Sequence, residues 1–126
     1  WRQNAFLHQE QQYKMTDLNG RVIKGVDLGN QAFINTWKDL PEAVKTEAKA
    51  VIQSLLMMPL DQVPAKLHMH PLTSKEVTSA LDKHKKVKAW SLNITADDRY
   101  KASFTFEGGT LYFRVCGLHD TIDKKP

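Results

Sequence analysis

The chain is poor in cysteine and has no long apolar run, and each absence excludes a class of protein. Cys116 is the only cysteine among 126 residues, so no disulfide can form within the chain, which fits a reducing compartment. No apolar run approaches the roughly twenty residues that cross a bilayer. Internal repeats are absent as well, which excludes a repeat architecture. We therefore expect a cytoplasmic protein that has no membrane partner.

The charge balance is moderately basic. Eighteen Lys and Arg against fourteen Asp and Glu give a net charge of +4 and a pI of about 9.2. Residues 83–88 are strongly basic, and Arg99, Lys101 and Arg114 follow along the chain. This excess permits a polyanionic partner such as RNA without demanding one. For residues 83–88 alone, a solvated charged face is the simpler interpretation.

The hydrophobic pattern predicts a single domain at residues 21–126 behind a polar arm at residues 1–20. Apolar steps of three and four residues predict helices, whereas strict alternation predicts strands. In chain order, the predicted elements are a strand at 21–28, helices at 31–40, 41–58 and 74–85, and strands at 90–94, 100–106 and 111–116. This order predicts an α+β domain, in which a helical hairpin packs on one face of a small, mainly antiparallel, curved sheet and leaves the other face free.

Local signals support three of these elements. Thr73 and Glu76 have the spacing of a capping box, which predicts the short helix at 74–85. Residues 107–109, Glu-Gly-Gly, predict a tight hairpin between the last two strands. In the last strand, Leu111, Phe113 and Val115 alternate with Tyr112, Arg114 and Cys116, which predicts that the two sets face opposite sides of the sheet.

Two chemically useful residues fall where neighbouring strands begin or end. Arg99 precedes one strand, and its permanent positive charge can neutralise charge that builds up on a phosphate. His119 follows the last strand, and its imidazole can donate or accept a proton near neutral pH. Together they supply much of what cleavage of RNA without a metal requires. Taken alone, Arg99 is more typical of a solvated turn, and His119 of a structural or exposed side chain.

The spacing of these motifs resembles the RelE/ParE superfamily of bacterial toxins, and the YoeB branch most closely. Residues 90–95 read Trp-Ser-x-x-Ile-Thr with Arg99 nine residues after the tryptophan, and residues 116–119 read Cys-x-x-His. The helix at 32–40 is similar to the family's first helix, and the resemblance covers residues 21–120. It implies a RelE-like fold and a ribosome-dependent endoribonuclease that cuts mRNA. It also implies a cognate antitoxin, and catalytic roles for Arg99 and His119.

The remaining catalytic role is that of a general base. Glu76 is the nearest counterpart of the family's catalytic glutamate, and Asp98 and Asp120 are the alternatives. Asp120 stands where the YoeB branch has a tyrosine, and it can also orient His119 as a neighbouring carboxylate.

Several further residues are candidates for binding RNA. Basic side chains contact phosphates, and an aromatic ring can stack on a base. The predicted RNA-binding residues are Lys86, Lys88, Lys101, Tyr112 and Arg114. His68 and His70 share one face of an extended segment, but the sequence offers no third ligand, so we expect neither a metal nor another cofactor.

Two alternatives to an mRNA-cleaving toxin stay open. One is a non-enzymatic ParE-like toxin that binds DNA gyrase, although such a toxin has no need of Arg99 and His119. The other is a RelE-like nuclease domain of a larger secreted effector, because the sequence begins with Trp1 rather than methionine. A homodimer is compatible with either.

Overall fold

The computed structural model describes residues 22–126, and the arm predicted at residues 1–20 lies outside this range. The described elements are β1 (Gly25–Asp27), α1 (Gln31–Lys38), α2 (Glu42–Leu55), β2 (His70–Thr78), β3 (Lys86–Asn93), β4 (Tyr100–Glu107), β5 (Thr110–Leu118) and α3 (His119–Lys124). Two short 3₁₀ turns, Leu60–Gln62 and Ala65–Leu67, lie between α2 and β2. The predicted α+β class is confirmed. No helix in the described part of the chain is long and apolar enough to cross a membrane.

The five described strands form one mixed, mostly antiparallel sheet in the order β1-β5-β4-β3-β2. β1 runs parallel to β5, and the other neighbouring pairs are antiparallel. The predicted turn at 107–109 joins β4 to β5, and Gly108 and Gly109 adopt φ values of 61° and 87°. Glycine adopts positive φ without steric cost, which explains the Gly-Gly pair at this hairpin.

The first of the two longer helices begins where the sequence predicts, and the second begins one residue later, because Pro41 is its N-cap rather than its first residue. The Asn30 side chain accepts a hydrogen bond from the Ala32 N–H at 2.8 Å and so caps α1. Pro41 directly precedes α2, and Glu42 in the first turn pairs with Lys45 at 3.2 Å. Both helices end a few residues earlier than predicted. After α2 the chain turns through Met57, whose φ of 66° is incompatible with a continuing helix.

Both helices contribute to the core on one face of the sheet, as predicted. Phe33 of α1 packs on Phe113 of β5 with ring centroids 5.5 Å apart, and Phe113 packs on Phe104 of β4 at 5.6 Å. Ile52 and Leu55 of α2 belong to the same buried cluster. Since Phe104 is fully buried, truncation to alanine would destabilise the fold by about 3–5 kcal/mol.

The first strand is shorter than predicted. Only Gly25–Asp27 pair with β5, and Val22 forms an isolated bridge with Pro59. Between them Ile23 is fully buried, and its N–H donates to the Met58 carbonyl at 2.9 Å.

The helix predicted at 74–85 is wrong. Residues up to Thr78 continue β2, where Val77 pairs with Val87 of β3, and residues 79–85 form a turn. The Ser79 hydroxyl accepts hydrogen bonds from the backbone N–H groups of Leu81 and Asp82, which holds this turn. Pairing with β3 satisfies the backbone of the segment, and this long-range interaction overrides the local capping signal at Thr73.

The prediction that β5 alternates throughout is also wrong. Ser103 pairs with Val115 but Phe104 pairs with Phe113, so Arg114 is the extra residue of a β-bulge. The bulge turns Cys116 toward the core, where it is buried with its Sγ 3.6 Å from the Thr36 hydroxyl of α1. Burial also raises the pKa of the Cys116 thiol, so this side chain is not a nucleophile.

The sheet face opposite α1 and α2 is not free as expected, because α3 and the residues after it lie on it. Lys101 of β4 pairs with Asp123 of α3 at 3.2 Å, and the Ser103 hydroxyl donates to the Pro126 carbonyl at 2.7 Å. We call this the polar face. Its buried residues on β3 and β4 are Ser91, Asn93, Lys101, Ser103 and Thr105.

Candidate active-site cleft

Titratable side chains converge in a small cleft of about 190 Å³ on the polar face. It is lined by His68, His70, Asn93, Asp98, Lys101 and His119. Two larger hollows lie elsewhere on the described surface: an apolar groove between α1 and α2, and a polar cleft around Arg114. Only the small cleft combines several imidazoles with an ammonium group, which makes it the candidate for proton-transfer chemistry.

The register of the sheet brings these residues together. His70 begins β2 opposite Ser91 of β3, and Asn93 at the end of β3 pairs with Lys101 of β4. Lys101 in turn pairs with Gly117 of β5, two residues before His119. The His119 N–H donates to the Arg99 carbonyl at 2.9 Å, which fixes the start of α3 beside the end of β4. Four neighbouring strands therefore hold the cleft.

Two of the cleft residues have a strained backbone. His68 and Asp98 adopt φ values of 48° and 62°, in the left-handed region that residues other than glycine rarely occupy. The third such residue between 22 and 126, Met57, is exposed and follows α2. Each such residue costs on the order of 1–3 kcal/mol and persists where the surrounding structure holds it, often at functional sites.

The hydrogen bonds of His70 fix its neutral tautomer. Its Nδ1 lies 2.7 Å from the carbonyl oxygen of His68. A carbonyl can only accept, so Nδ1 carries the hydrogen, and in the neutral ring Nε2 keeps its lone pair. His70 is exposed and is thus positioned to accept a proton.

His119 lies between two carboxylates of α3. Its Nδ1 is 3.1 Å from Asp120 Oδ1, and its Nε2 is 3.5 Å from Asp123 Oδ2. The two carboxylates can accept hydrogen bonds from the ring and so fix its orientation. With 43% of its side chain exposed, His119 can still reach a bound molecule.

Asp123 also contacts the buried ammonium group of this cleft. The Lys101 side chain is only 6% exposed, and its Nζ is 3.2 Å from Asp123 Oδ1. A buried ammonium is stable only with such a partner. The Asp123 carboxylate thus contacts both Lys101 and His119. The cleft therefore already holds a negative charge at this position.

Asn93 contributes an unpaired acceptor next to the cleft. Its Nδ2 donates to Asp98, whereas its Oδ1 has no partner among the described residues and the side chain is 1% exposed. Buried polar atoms are nearly always hydrogen-bonded, which makes this oxygen one of two exceptions among the described residues, the other being Ser91 Oγ.

The loop between β3 and β4 is held by its own carboxylates. Asp97 accepts hydrogen bonds from the Thr95 hydroxyl and the Arg99 N–H. Both hydrogen bonds lower the pKa of Asp97, and the one from the Thr95 hydroxyl has the larger effect. The Arg99 backbone lies beside His119, as the sequence predicts. Its guanidinium is exposed, 5.7 Å from the ring centroid of Tyr100, and does not line the cleft.

The other predicted site residues are distributed over three places. Asp120 is exposed beside His119. Glu76 pairs with Lys88 in the β2–β3 ladder, and the Lys86 ammonium donates to the Thr78 hydroxyl at 3.3 Å, so none of these three lines the cleft. Tyr112 and Arg114 line the separate polar cleft of about 400 Å³.

The sequence does not predict where the histidines at the start of β2 lie. It offers His68 and His70 only as possible metal ligands, whereas the structure places both in one cleft with His119 and Lys101. Between residues 22 and 126, no three His, Cys, Asp or Glu side chains are arranged to hold a metal ion. The sequence shows the spacing of His68 and His70, but it does not show the register of β2 against β3 that brings them close to His119.

No protein-family model, curated protein or solved structure matches this chain. The chemistry of the cleft therefore has to be derived from its own residues.

Proposed function

We propose that this protein is a metal-independent endoribonuclease that acts on single-stranded RNA. The observation that carries this proposal is the cleft in which His70, His119 and Lys101 meet. Two imidazoles can serve as base and acid, and an ammonium group can stabilise the additional negative charge of the transition state. RNA supplies its own nucleophile in the 2′-hydroxyl, so no further protein nucleophile is required.

His70 is the proposed general base, in place of Glu76, which lies outside the cleft. Its Nδ1–H is held by the His68 carbonyl, and its Nε2 takes the proton of the 2′-hydroxyl. The 2′-oxygen then attacks the adjacent phosphorus. A bond forms between them, and the bond from phosphorus to the 5′-oxygen of the next nucleotide breaks.

His119 is the proposed general acid. In its protonated form it donates a proton to the departing 5′-oxygen, while Asp120 and Asp123 lie against its two ring nitrogens. The products are a 2′,3′-cyclic phosphate and a free 5′-hydroxyl. His70 gains one proton and His119 loses one, so the two histidines exchange protonation states during the reaction. Proton exchange with water then restores their starting states.

Lys101 is the proposed charge stabiliser inside the cleft, and Arg99 assists from the exposed edge beside His119. RNA must compete with the Asp123 carboxylate for Lys101, because both carry negative charge. Asp98 holds the Asn93 amide and thereby positions the loop next to the cleft.

The resemblance to the RelE/ParE toxins supports a narrower version of the proposal. In that version the RNA is mRNA, cleavage occurs at the ribosome in the cytoplasm, and a cognate antitoxin covers the cleft. The predicted Arg99 and His119 roles belong to this version as well.

The test is cleavage of RNA by the purified protein with and without a chelator. We expect new 5′-hydroxyl ends in both conditions, on RNA alone or with ribosomes added, and no cleavage by a His70→Ala, His119→Ala double variant. Cleavage abolished by the chelator would contradict the metal-independent mechanism. Growth arrest with intact RNA and altered DNA supercoiling would instead favour the gyrase-binding alternative.

A further inference from the structure

The second polar cleft, around Arg114, has the features of a separate binding site. It has a volume of about 400 Å³ and lies along β5, where Tyr112 and Arg114 line it together with Thr78, Ser79 and Thr105. Thr105 and Tyr112 are paired residues of β4 and β5 and so share one side of the sheet. This is also the side of Lys101 and Ser103, so the two polar clefts lie on the same face.

Arg114 is half-buried in this cleft, and no Asp or Glu side chain of the described residues pairs with it. Its Nε donates to the main-chain oxygen of Pro126 at 3.1 Å and its Nη1 to the Thr78 carbonyl at 3.5 Å. No Asp or Glu of residues 22–126 lies within 4.0 Å of the guanidinium. Burial also lowers the pKa of Arg114, which shows the cost of enclosing its charge.

Two carboxylates at this cleft are hydrogen-bonded to groups other than Arg114. Glu107 accepts hydrogen bonds from the hydroxyls of Ser79 and Thr105 and from the Ala80 N–H. Asp27, at the edge of the cleft, accepts from the Gly29 N–H at 2.8 Å. Arg114 therefore keeps donors for an anion from outside, and a guanidinium binds phosphate through two parallel hydrogen bonds.

Tyr112 adds a surface for a base. Its side chain is half-buried, and its ring stacks on no other ring of the described residues. Two residues along a strand separate Tyr112 from Arg114, which corresponds to about 7 Å. The β-bulge at Arg114 aims this side chain differently from a regular strand, a device common beside active sites.

We infer that this cleft is a second RNA-binding site, in which Arg114 holds a phosphate and Tyr112 stacks on a base. The inference rests on the proposed function and deepens it. From Lys101 to Thr105, β4 rises by about 13 Å, which equals roughly four nucleotides of a stacked strand. The site thus binds RNA several nucleotides from the point of cleavage, and stacking makes it tolerant of sequence.

The experiment measures binding of a 2′-O-methyl octanucleotide, which lacks the internal nucleophile and cannot be cleaved. Arg114→Gln should weaken binding about 10- to 100-fold, because it removes a hydrogen bond to a charged group. It should also reduce the slope of log affinity against log salt by about 0.7, the value for one phosphate on a single strand. Tyr112→Leu should weaken binding without changing that slope.

A matched control is Lys49→Gln, which removes one positive charge on α2 beside the apolar groove, on the other side of the sheet. It should change neither affinity nor slope. Should Arg114→Gln fail to fold by circular dichroism, Arg114→Lys replaces it: the slope should stay, and affinity should still fall because lysine lacks the planar fork. Wild-type affinity in a folded Arg114→Gln or Arg114→Lys variant would overturn the inference.

Substrate length separates this inference from the proposed function. Because a dinucleotide is too short to reach Arg114, the wild-type protein should bind the octanucleotide more tightly than the dinucleotide, and Arg114→Gln should reduce that difference. If the wild-type protein cleaves nothing but binds the octanucleotide through Arg114, the binding site stands and the nuclease proposal fails. Equal affinity for dinucleotide, octanucleotide and inorganic phosphate would mean that the cleft holds a free anion only, which overturns the RNA site.

Discussion

Replacing His119 by alanine should abolish cleavage while leaving the fold almost unchanged. Loss of a positioned proton donor reduces rates by about 10²–10⁴-fold. At 1.36 kcal/mol for each factor of ten, the barrier rises by about 3–5 kcal/mol. The stability effect is small by comparison, because His119 is 43% exposed and its partner Asp120 is 90% exposed. Surface ion pairs of this kind contribute about 0–1 kcal/mol.

The assay compares an RNA dinucleotide with a nucleoside 3′-aryl phosphate, whose leaving group departs without a proton. If His119 is the acid, His119→Ala should lose activity on RNA and keep most of it on the aryl ester. His70→Ala should lose activity on both, because the 2′-hydroxyl must be deprotonated in either case. His84→Ala is the control, since His84 is exposed on the turn before β3 and lies outside the cleft.

Two outcomes would refute this reasoning. Wild-type cleavage of RNA by a folded His119→Ala protein would remove His119 from the mechanism. Equal losses on RNA and on the aryl ester would show that His119 does not protonate the leaving group, and that it acts in binding.

Three further predictions concern the charges around the two clefts. Asp123→Asn should lower the melting temperature, because it weakens the interaction between Asp123 and buried Lys101 by about 1–3 kcal/mol. The same variant should bind RNA more tightly, because the competing negative charge is removed. Weaker binding would contradict competition between Asp123 and RNA for Lys101. Arg99→Lys should impair cleavage nearly as much as Arg99→Ala, because lysine keeps the charge but lacks the planar fork of the guanidinium. Near wild-type rates for the lysine variant would show that Arg99 only attracts RNA through its charge. For Glu107, burial raises the pKa, but hydrogen bonds from Ser79, Ala80 and Thr105 outweigh it and hold the pKa below its ordinary value of 4.5. The stability that the ionised Glu107 supplies is present above pH 4.5 and is lost as the pH falls through the lowered pKa. The melting temperatures of the wild type and of Glu107→Gln should therefore converge in acid. A difference that stays constant with pH would contradict this linkage.

The elements that the sequence predicts correctly are those specified by local patterns. Alternation in β3 and β4 determines these two strands, and the glycines at 108 and 109 determine the turn from β4 to β5, without reference to distant residues. Asn30 and Pro41 similarly mark where α1 and α2 begin. Each of these signals acts over a few residues, and nothing in the tertiary structure opposes it.

The errors arise where distant parts of the chain decide the outcome. At Thr73 a helix-capping signal competes with pairing to β3, and the pairing prevails. At Arg114 the apparent alternation continues straight through a bulge, so sequence alone assigned Cys116 to the wrong face. The candidate site likewise depends on both local and long-range information. His119 is identified from its spacing to Cys116, whereas the position of His70 depends on the register of β2 against β3.

The composition of the polar face is costly for stability alone. On β3 and β4, Leu92 and Ala102 form an apolar pair toward the helices, whereas the alternate positions bury Ser91, Asn93 and Lys101. Ser91 Oγ and Asn93 Oδ1 have no hydrogen-bond partner among the described residues. Each such atom costs about 1–3 kcal/mol, and apolar residues of similar size would avoid that cost. Lys101 and Ser103 nevertheless hold α3 and the residues after it against the sheet, through Asp123 and the main-chain oxygen of Pro126. Because α3 begins with His119, these buried polar contacts fix the position of that histidine at the cleft.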